Sequence, residues 1–151
     1  MSKAGKLKTY DPKKVLIAMG SHAFSGYADD SYVSVEPSGD GTTKKTGCDG
    51  EIVRSMSPDH SFVVKVTLLQ TSDSNSYLQE LYNRDQETGD AIEPIMVQDL
   101  MGGLLFSADQ AWVPKPANRV RGKEATNNEW EIHTGIGFLD HMLTLFAKHA
   151  R

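Results

Sequence analysis

Apolar and polar positions alternate over most of this chain. The clearest run is "SFVVKVTLL", which sets Phe62, Val64, Val66 and Leu68 on one face and Val63, Lys65, Thr67 and Leu69 on the other. "KVLIAMG" opposes Val15, Ile17 and Met19 to Leu16 and Ala18, all apolar, and predicts a short strand buried on both faces. "GYADDSYVSVEP" predicts a strand with Val33 and Val35 on one side. Pro37 closes it, because proline cannot donate to a central ladder. "IEPIMVQDL" and "LLFSADQAWV" predict two strands joined at Gly102–Gly103 in a hairpin-type turn, with Leu104, Phe106, Ala108 and Trp112 on one face. "EWEI" resumes strand character through Trp130 and Ile132.

The period changes to 3.6 in "SDSNSYLQELYNRDQETG", which predicts a helix over about residues 74–87. Tyr77, Leu78, Leu81 and Tyr82 form its apolar stripe. Asp73 or Ser74 is placed to cap its free N–H groups, and Gly89 to end it. Strands, one helix, then more strands do not make βαβ units. The order predicts a mainly β fold, an antiparallel barrel or sandwich with one packed helix.

Two segments fall outside this scheme. Met1 to Thr9 reads as a mobile arm. Residues 37–50, "PSGDGTTKKTGCDG", are nearly free of apolar groups and predict a long exposed loop or hairpin tip. A loop that long in a compact domain is functional or disordered.

At 151 residues one domain is expected, large enough for a real core. The net charge of −4 argues against a surface that wraps nucleic acid, but not against one past which nucleic acid slides. Cys48 is the only cysteine, which excludes an intrachain disulfide and a paired-cysteine metal site. No apolar run approaches the length of a membrane span, and the chain is expected to fold in a reducing cytoplasm and stay soluble.

Candidate chemistry is thin. "GDGTTKKTG" has Lys44 where a phosphate-binding loop needs glycine, and no helix pattern follows Thr46. The acidic groups Asp29–Asp30 and Asp85, Glu87, Asp90 lack the spacing of a calcium loop. His22 and His60 each stand alone, and no Ser, Cys or His trio has a visible base-and-orienter arrangement.

The final stretch, "HTGIGFLDHMLTLFAKHAR", holds His133, His141 and His149. On a helix the spacing of eight drifts by about 80° per step, so these imidazoles do not converge. Phe138, Leu139, Met142, Leu143, Leu145, Phe146 and Ala147 nevertheless predict a helix from about Phe138 to about His149. Over about seventeen residues the stretch resembles imidazoleglycerol-phosphate dehydratase. That family's histidine in "LDHM", here His141, contributes to a manganese site, and the site also needs HHxxE motifs. This chain has no His-His pair. About three protein ligands are needed to hold a catalytic metal, so no metal and no cofactor are expected.

A second resemblance covers about residues 9–132. "TYDPKKV", "TKKTGCDGEIVRS", "VTLLQTSDSNSYLQELYNRDQETGDAIEPIMVQDL", "LLFSADQAWVPKP" and "GKEATNNEWEI" stand in the order and spacing of tail tube proteins from contractile-tailed bacteriophages. The resemblance implies a β subunit with one helix, six subunits to a ring, and rings stacked into a tube through which DNA passes. It implies a structural protein and no enzyme. The implied partners are the chain itself, then tail sheath, tape measure and baseplate proteins, with DNA passing unbound and no membrane. The implied location is the virion tail, and the host cytoplasm during assembly. The alternatives are a tube protein of a related contractile injection or secretion system and, further off, a metal-dependent dehydratase fragment.

Within that frame the chain divides into a tail-tube-like β domain, 1–132, and an atypical C-terminal segment, 133–151, expected to be helical. The first and last strands, Lys14–Met19 and Glu129–Ile132, carry little of the charge or proline that blunts an edge. Val15, Ile17, Trp130 and Ile132 are therefore expected at contacts between subunits, as are Lys44 and Lys45 in the long loop. The excess of Asp and Glu over Lys and Arg predicts a net-negative channel lining that does not bind duplex DNA.

Overall fold

The computed structural model describes residues 7, 9, 15–28, 32–101 and 103–140. The expected N-terminal arm lies mostly outside them, as do His141 and His149.

Among the described residues nine strands and one helix follow in chain order: β1 (Val15–Met19), β2 (His22–Ala23), β3 (Val33–Pro37), β4 (Thr42–Thr46), β5 (Ile52–Met56), β6 (Ser61–Leu69), α1 (Ser74–Thr88), β7 (Glu93–Asp99), β8 (Leu105–Trp112) and β9 (Asn127–Asp140). Seven strands form one antiparallel sheet in the order β2-β1-β7-β8-β9-β6-β3, and β4 and β5 form a separate hairpin. The large sheet is open. Its ends, β2 and β3, do not meet, so the fold is mainly β with one helix but is not a closed barrel.

One face of the sheet carries the core. Ile17, Met19, Ile95, Val97, Phe106, Val64, Val66, Leu68, Trp130 and Ile132 are buried there, under Leu78 and Leu81 of α1. Tyr77 and Tyr82 pack at the margin, so the helical stripe read from the sequence is the one that docks. Two polar ties set the angle of the helix. The Tyr77 hydroxyl donates to the Met19 carbonyl at 2.8 Å. The Trp130 indole N–H donates to Asn75 Oδ1 at 2.8 Å, and the Asn75 amide donates to the Leu69 and Ser72 carbonyls at 2.9 and 3.0 Å. Gly89 takes the left-handed conformation that ends the helix, as expected.

The start of α1 differs from expectation. Asp73 already has helical φ and ψ and makes no side-chain cap. The Ser72 hydroxyl accepts the Ser74 N–H instead, because a capping side chain needs an extended residue in front of the helix. Strand β1 is buried on one face only. Val15, Ile17 and Met19 point to the core, while Leu16 remains exposed.

Two adjacent irregularities reset the alternation. Ile95 pairs with Ala108 but Glu93 pairs with Ala111, so β8 carries an extra residue. Beyond that bulge Ala111 and Val113 enter the core, and Trp112 turns to the opposite face, contrary to the unbroken alternation read from the sequence. A matching shift separates Ser61↔Ile136 from Val63↔His133 in β6 and β9. There the buried Thr134 hydroxyl accepts the Phe62 N–H at 3.2 Å, which satisfies a backbone donor that the bulge takes out of the ladder.

The expected helix start at Phe138 is corrected. Phe138, Leu139 and Asp140 continue β9 and pair with Ser107, Phe106 and Leu105. The ladder supplies partners for the β8 backbone here, and Gly135 and Gly137 weaken a helix in this stretch. The remainder of the expected helix lies outside the described residues. No break occurs at His133, where the division into 1–132 and 133–151 was expected.

Candidate assembly surface

The helix covers one face of the sheet, and among the described residues no element packs on the other. Strand pairing places Leu16, Ala18, Met96, Gln98, Leu105, Ser107, Trp112, His133, Glu131, Glu129, Phe138, Asp140, Val63, Lys65, Thr67, Ser34 and Glu36 on this face. All of them are partly or fully exposed. Among the charged residues at these paired positions are four carboxylates, Glu36, Glu129, Glu131 and Asp140, against one lysine, Lys65.

Glu131 is the hub of this face. His133 Nε2 lies 2.9 Å from its Oε1, and the Lys115 ammonium 4.0 Å from its Oε2. The hydrogen bond from His133 is the main reason its carboxyl sits below the usual glutamate range; Lys115 and Lys65 act in the same direction, against a desolvation effect. Lys65 stands opposite Glu131 in register and 3.5 Å from Glu36 on its other side. Trp112 meets the His133 ring edge-on at 6.4 Å.

The second feature is the arm. β4 and β5 project as a two-stranded hairpin, all ten strand residues exposed. The long loop read over 37–50 is the first half of it. Lys44 pairs with Arg54 and Lys45 with Val53 in the ladder. Ile52, Val53 and Met56 are exposed apolar residues on the same arm. At its base, an open cleft of about 390 Å³ is lined by Pro37, Gly41, His60, Phe62, Phe138 and Leu139, among others.

The third feature is the sheet's ends. β2 pairs with only Ala18 and Met19 of β1, and β3 has no described partner beyond β6. The last strand is a different matter. β9 lies between β8 and β6, so it is interior and not an edge. The four apolar residues expected at subunit contacts, Val15, Ile17, Trp130 and Ile132, are all buried within the subunit itself. Lys44 and Lys45 are the members of the expected set that are exposed.

Two features escaped the sequence reading. The polar row of Glu129, Glu131 and His133 was visible as the partner phase of "EWEIH", opposite Trp130 and Ile132. The second arm strand, "IVRSM", was not legible, because its five residues contact mainly β4 and bury nothing. His22, read as solitary, stacks on Tyr77 at 4.4 Å, and its Nε2 meets the buried Ser74 hydroxyl at 2.9 Å. Ser74 also accepts the Ser25 N–H, so this group ties β2 to the start of the helix. Among the described residues no three His, Cys, Asp or Glu side chains converge to hold a metal ion, and no helix is long and apolar enough to cross a membrane.

Among the described residues the fold is thus an open sheet with one helix on one face and an exposed two-stranded arm. The fold is also that of the cap that terminates the tube of the anti-feeding prophage. The two align with a TM-score of 0.58 over 89% of this chain and 92% of that one, at 7% sequence identity. The chain belongs to the family described as Bacteriophage PhiTE tail tube protein, which matches residues 16–144. It is also 29% identical over 137 residues to structural protein ORF10 of Pseudomonas phage KPP10, covering 85% of this chain and 79% of that protein. The protein is thus a structural, non-enzymatic component of a phage tail.

The family match runs past His133, as β9 does. The likeness to imidazoleglycerol-phosphate dehydratase is local. The enzyme of Listeria monocytogenes serotype 4a (strain HCC23) is 69% identical over 26 residues, which is 17% of this chain and 13% of the enzyme.

Proposed function

We propose that this chain builds the inner tube of a phage tail. Six subunits close a ring through the open ends of their sheets, rings stack, and the uncovered sheet face lines a channel for DNA. The observation that carries this reading is that uncovered face. It spans seven strands, no described element packs over it, and carboxylates outnumber lysine four to one at its paired charged positions. A lining poor in Lys and Arg releases few counterions from DNA and so gives it little to bind. Unpaired strand edges are templates for pairing with another chain, which suits ring closure between the β3 end of one sheet and the β2 end of the next. Sheath, tape measure and baseplate proteins are the expected partners, with assembly in the host cytoplasm and residence in the virion tail.

The test is electron microscopy of the purified chain at high concentration. Rings or tubes are expected. A monomer by light scattering, with neither form on the grid, would overturn the reading.

The arm is assigned to stacking between rings, through Lys44 and Lys45 and the apolar Ile52, Val53 and Met56. Each exposed ion pair contributes only about 0–1 kcal/mol, but a stack repeats every contact around each ring. The arm can be removed cleanly, since the Ser57 N–H donates to the Gly41 carbonyl at 2.9 Å and the two ends lie side by side. Replacing residues 42–56 by a short Gly-Ser turn is expected to leave the unfolding midpoint almost unchanged and to abolish long tubes. Tubes of normal length from this variant would remove the arm from the stacking interface.

A further inference from the structure

We propose that Glu36 and Glu131 screen Lys65, so that the single lysine at a paired position of the uncovered face does not hold the phosphates of passing DNA. This deepens the tube reading and rests on it for the meaning of the face, but its chemistry can be tested on the subunit alone.

An exposed ammonium in the middle of a channel lining is a phosphate contact in waiting. Lys65 sits in the middle of β6, with β3 on one side and β9 on the other. Glu36 of β3 lies 3.5 Å from its nitrogen. Glu131 of β9 is its register partner across the ladder. Opposite charges in such cross-strand pairs interact directly. The lysine is thus flanked by a carboxylate on each neighbouring strand. Glu131 is in turn held in place by His133 at 2.9 Å and met by Lys115 at 4.0 Å. The charges across β3, β6 and β9 therefore alternate negative, positive, negative, and a phosphate at Lys65 would have a carboxylate on either side. As stabilising ion pairs these exposed contacts are weak. Their effect is on the local potential, which decides whether a polyanion finds a foothold.

The test uses the full chain and a short fluorescein-labelled DNA duplex, with anisotropy followed across a salt titration. Glu36→Gln together with Glu131→Gln is expected to bind more tightly than the unsubstituted chain. The slope of log affinity against log salt should steepen by about 0.9 for each further phosphate that the variant neutralises. Adding Lys65→Gln to that pair is expected to abolish the tighter binding. Glu36→Gln alone, which leaves Glu131 and Lys115 in place, should show a smaller increase in affinity that Lys65→Gln also removes; it carries the test if the double variant fails to fold. No increase in a folded variant, or an increase that survives Lys65→Gln, would overturn the proposal. Electron microscopy of the same proteins keeps the two ideas apart. Absent tubes would count against the tube reading, while the anisotropy alone decides the screening.

Discussion

Trp130→Ala is expected to destabilise the subunit by about 3–5 kcal/mol, the cost of emptying a buried tryptophan site. Trp130 is 1% exposed and lies near the start of β9, on the sheet face that α1 covers. Its loss does more than leave a cavity. The indole N–H is the donor to Asn75 Oδ1, and Asn75 holds the turn before the helix through its amide. The Arg119 guanidinium, 5.3 Å from the ring, also loses its platform. Against a typical total of about 5–15 kcal/mol this is a large share, so the variant should unfold at much lower denaturant concentration. Trp130→Phe separates the two contributions. It keeps most of the apolar volume, orphans Asn75 Oδ1, and should cost about 1–3 kcal/mol. Equilibrium unfolding in urea checks both. If Trp130→Ala left the midpoint unchanged while breaking up rings, Trp130 would belong to an interface after all.

Gly137→Val is expected to be the second most damaging change, at about 1–3 kcal/mol from overpacking. A Cβ at position 137 would stand 2.8 Å from Phe106 Cε1 and 2.8 Å from Phe62 Cδ1. Those rings form an edge-to-face pair with centroids 5.0 Å apart, and Phe106 is fully buried, so neither ring can give way without moving the other. The backbone is pinned as well, since the Gly137 N–H donates to the His60 carbonyl at 3.0 Å. Gly135 in the same "TGIG" run is the control. Its nearest neighbour would be Gln110 Oε1 at 3.4 Å, the tip of a flexible side chain, so Gly135→Ala should change stability little. Thermal unfolding of the two variants side by side distinguishes them. Equal midpoints would show that the aromatic pair can rearrange around a new side chain.

Local pattern was enough wherever one strand or helix buried one face against the core. Phe62, Val64, Val66 and Leu68 were legible because burial selects apolar residues at every second position. Tyr77, Leu78, Leu81 and Tyr82 were legible because the same selection acts at helical spacing. The hairpin of β7 and β8 followed from its turn residues. The mainly β class with a single helix follows from these elements and their order.

What the chain alone determined, then, is the set of residues that must leave water and the periods at which they recur. Tertiary structure decided the rest. It placed the last strand in the interior of the sheet, because β8 and β6 both need a partner and β9 alone lies between them. It turned Trp112 outward through an extra residue in β8, a register event that no alternation within one strand can announce. It drew Phe138–Asp140 into the ladder, because pairing with Leu105–Ser107 supplies backbone partners that an isolated segment lacks. It also set Lys65 between Glu36 and Glu131, residues far apart in the chain, since cross-strand neighbours are chosen by register and not by sequence distance.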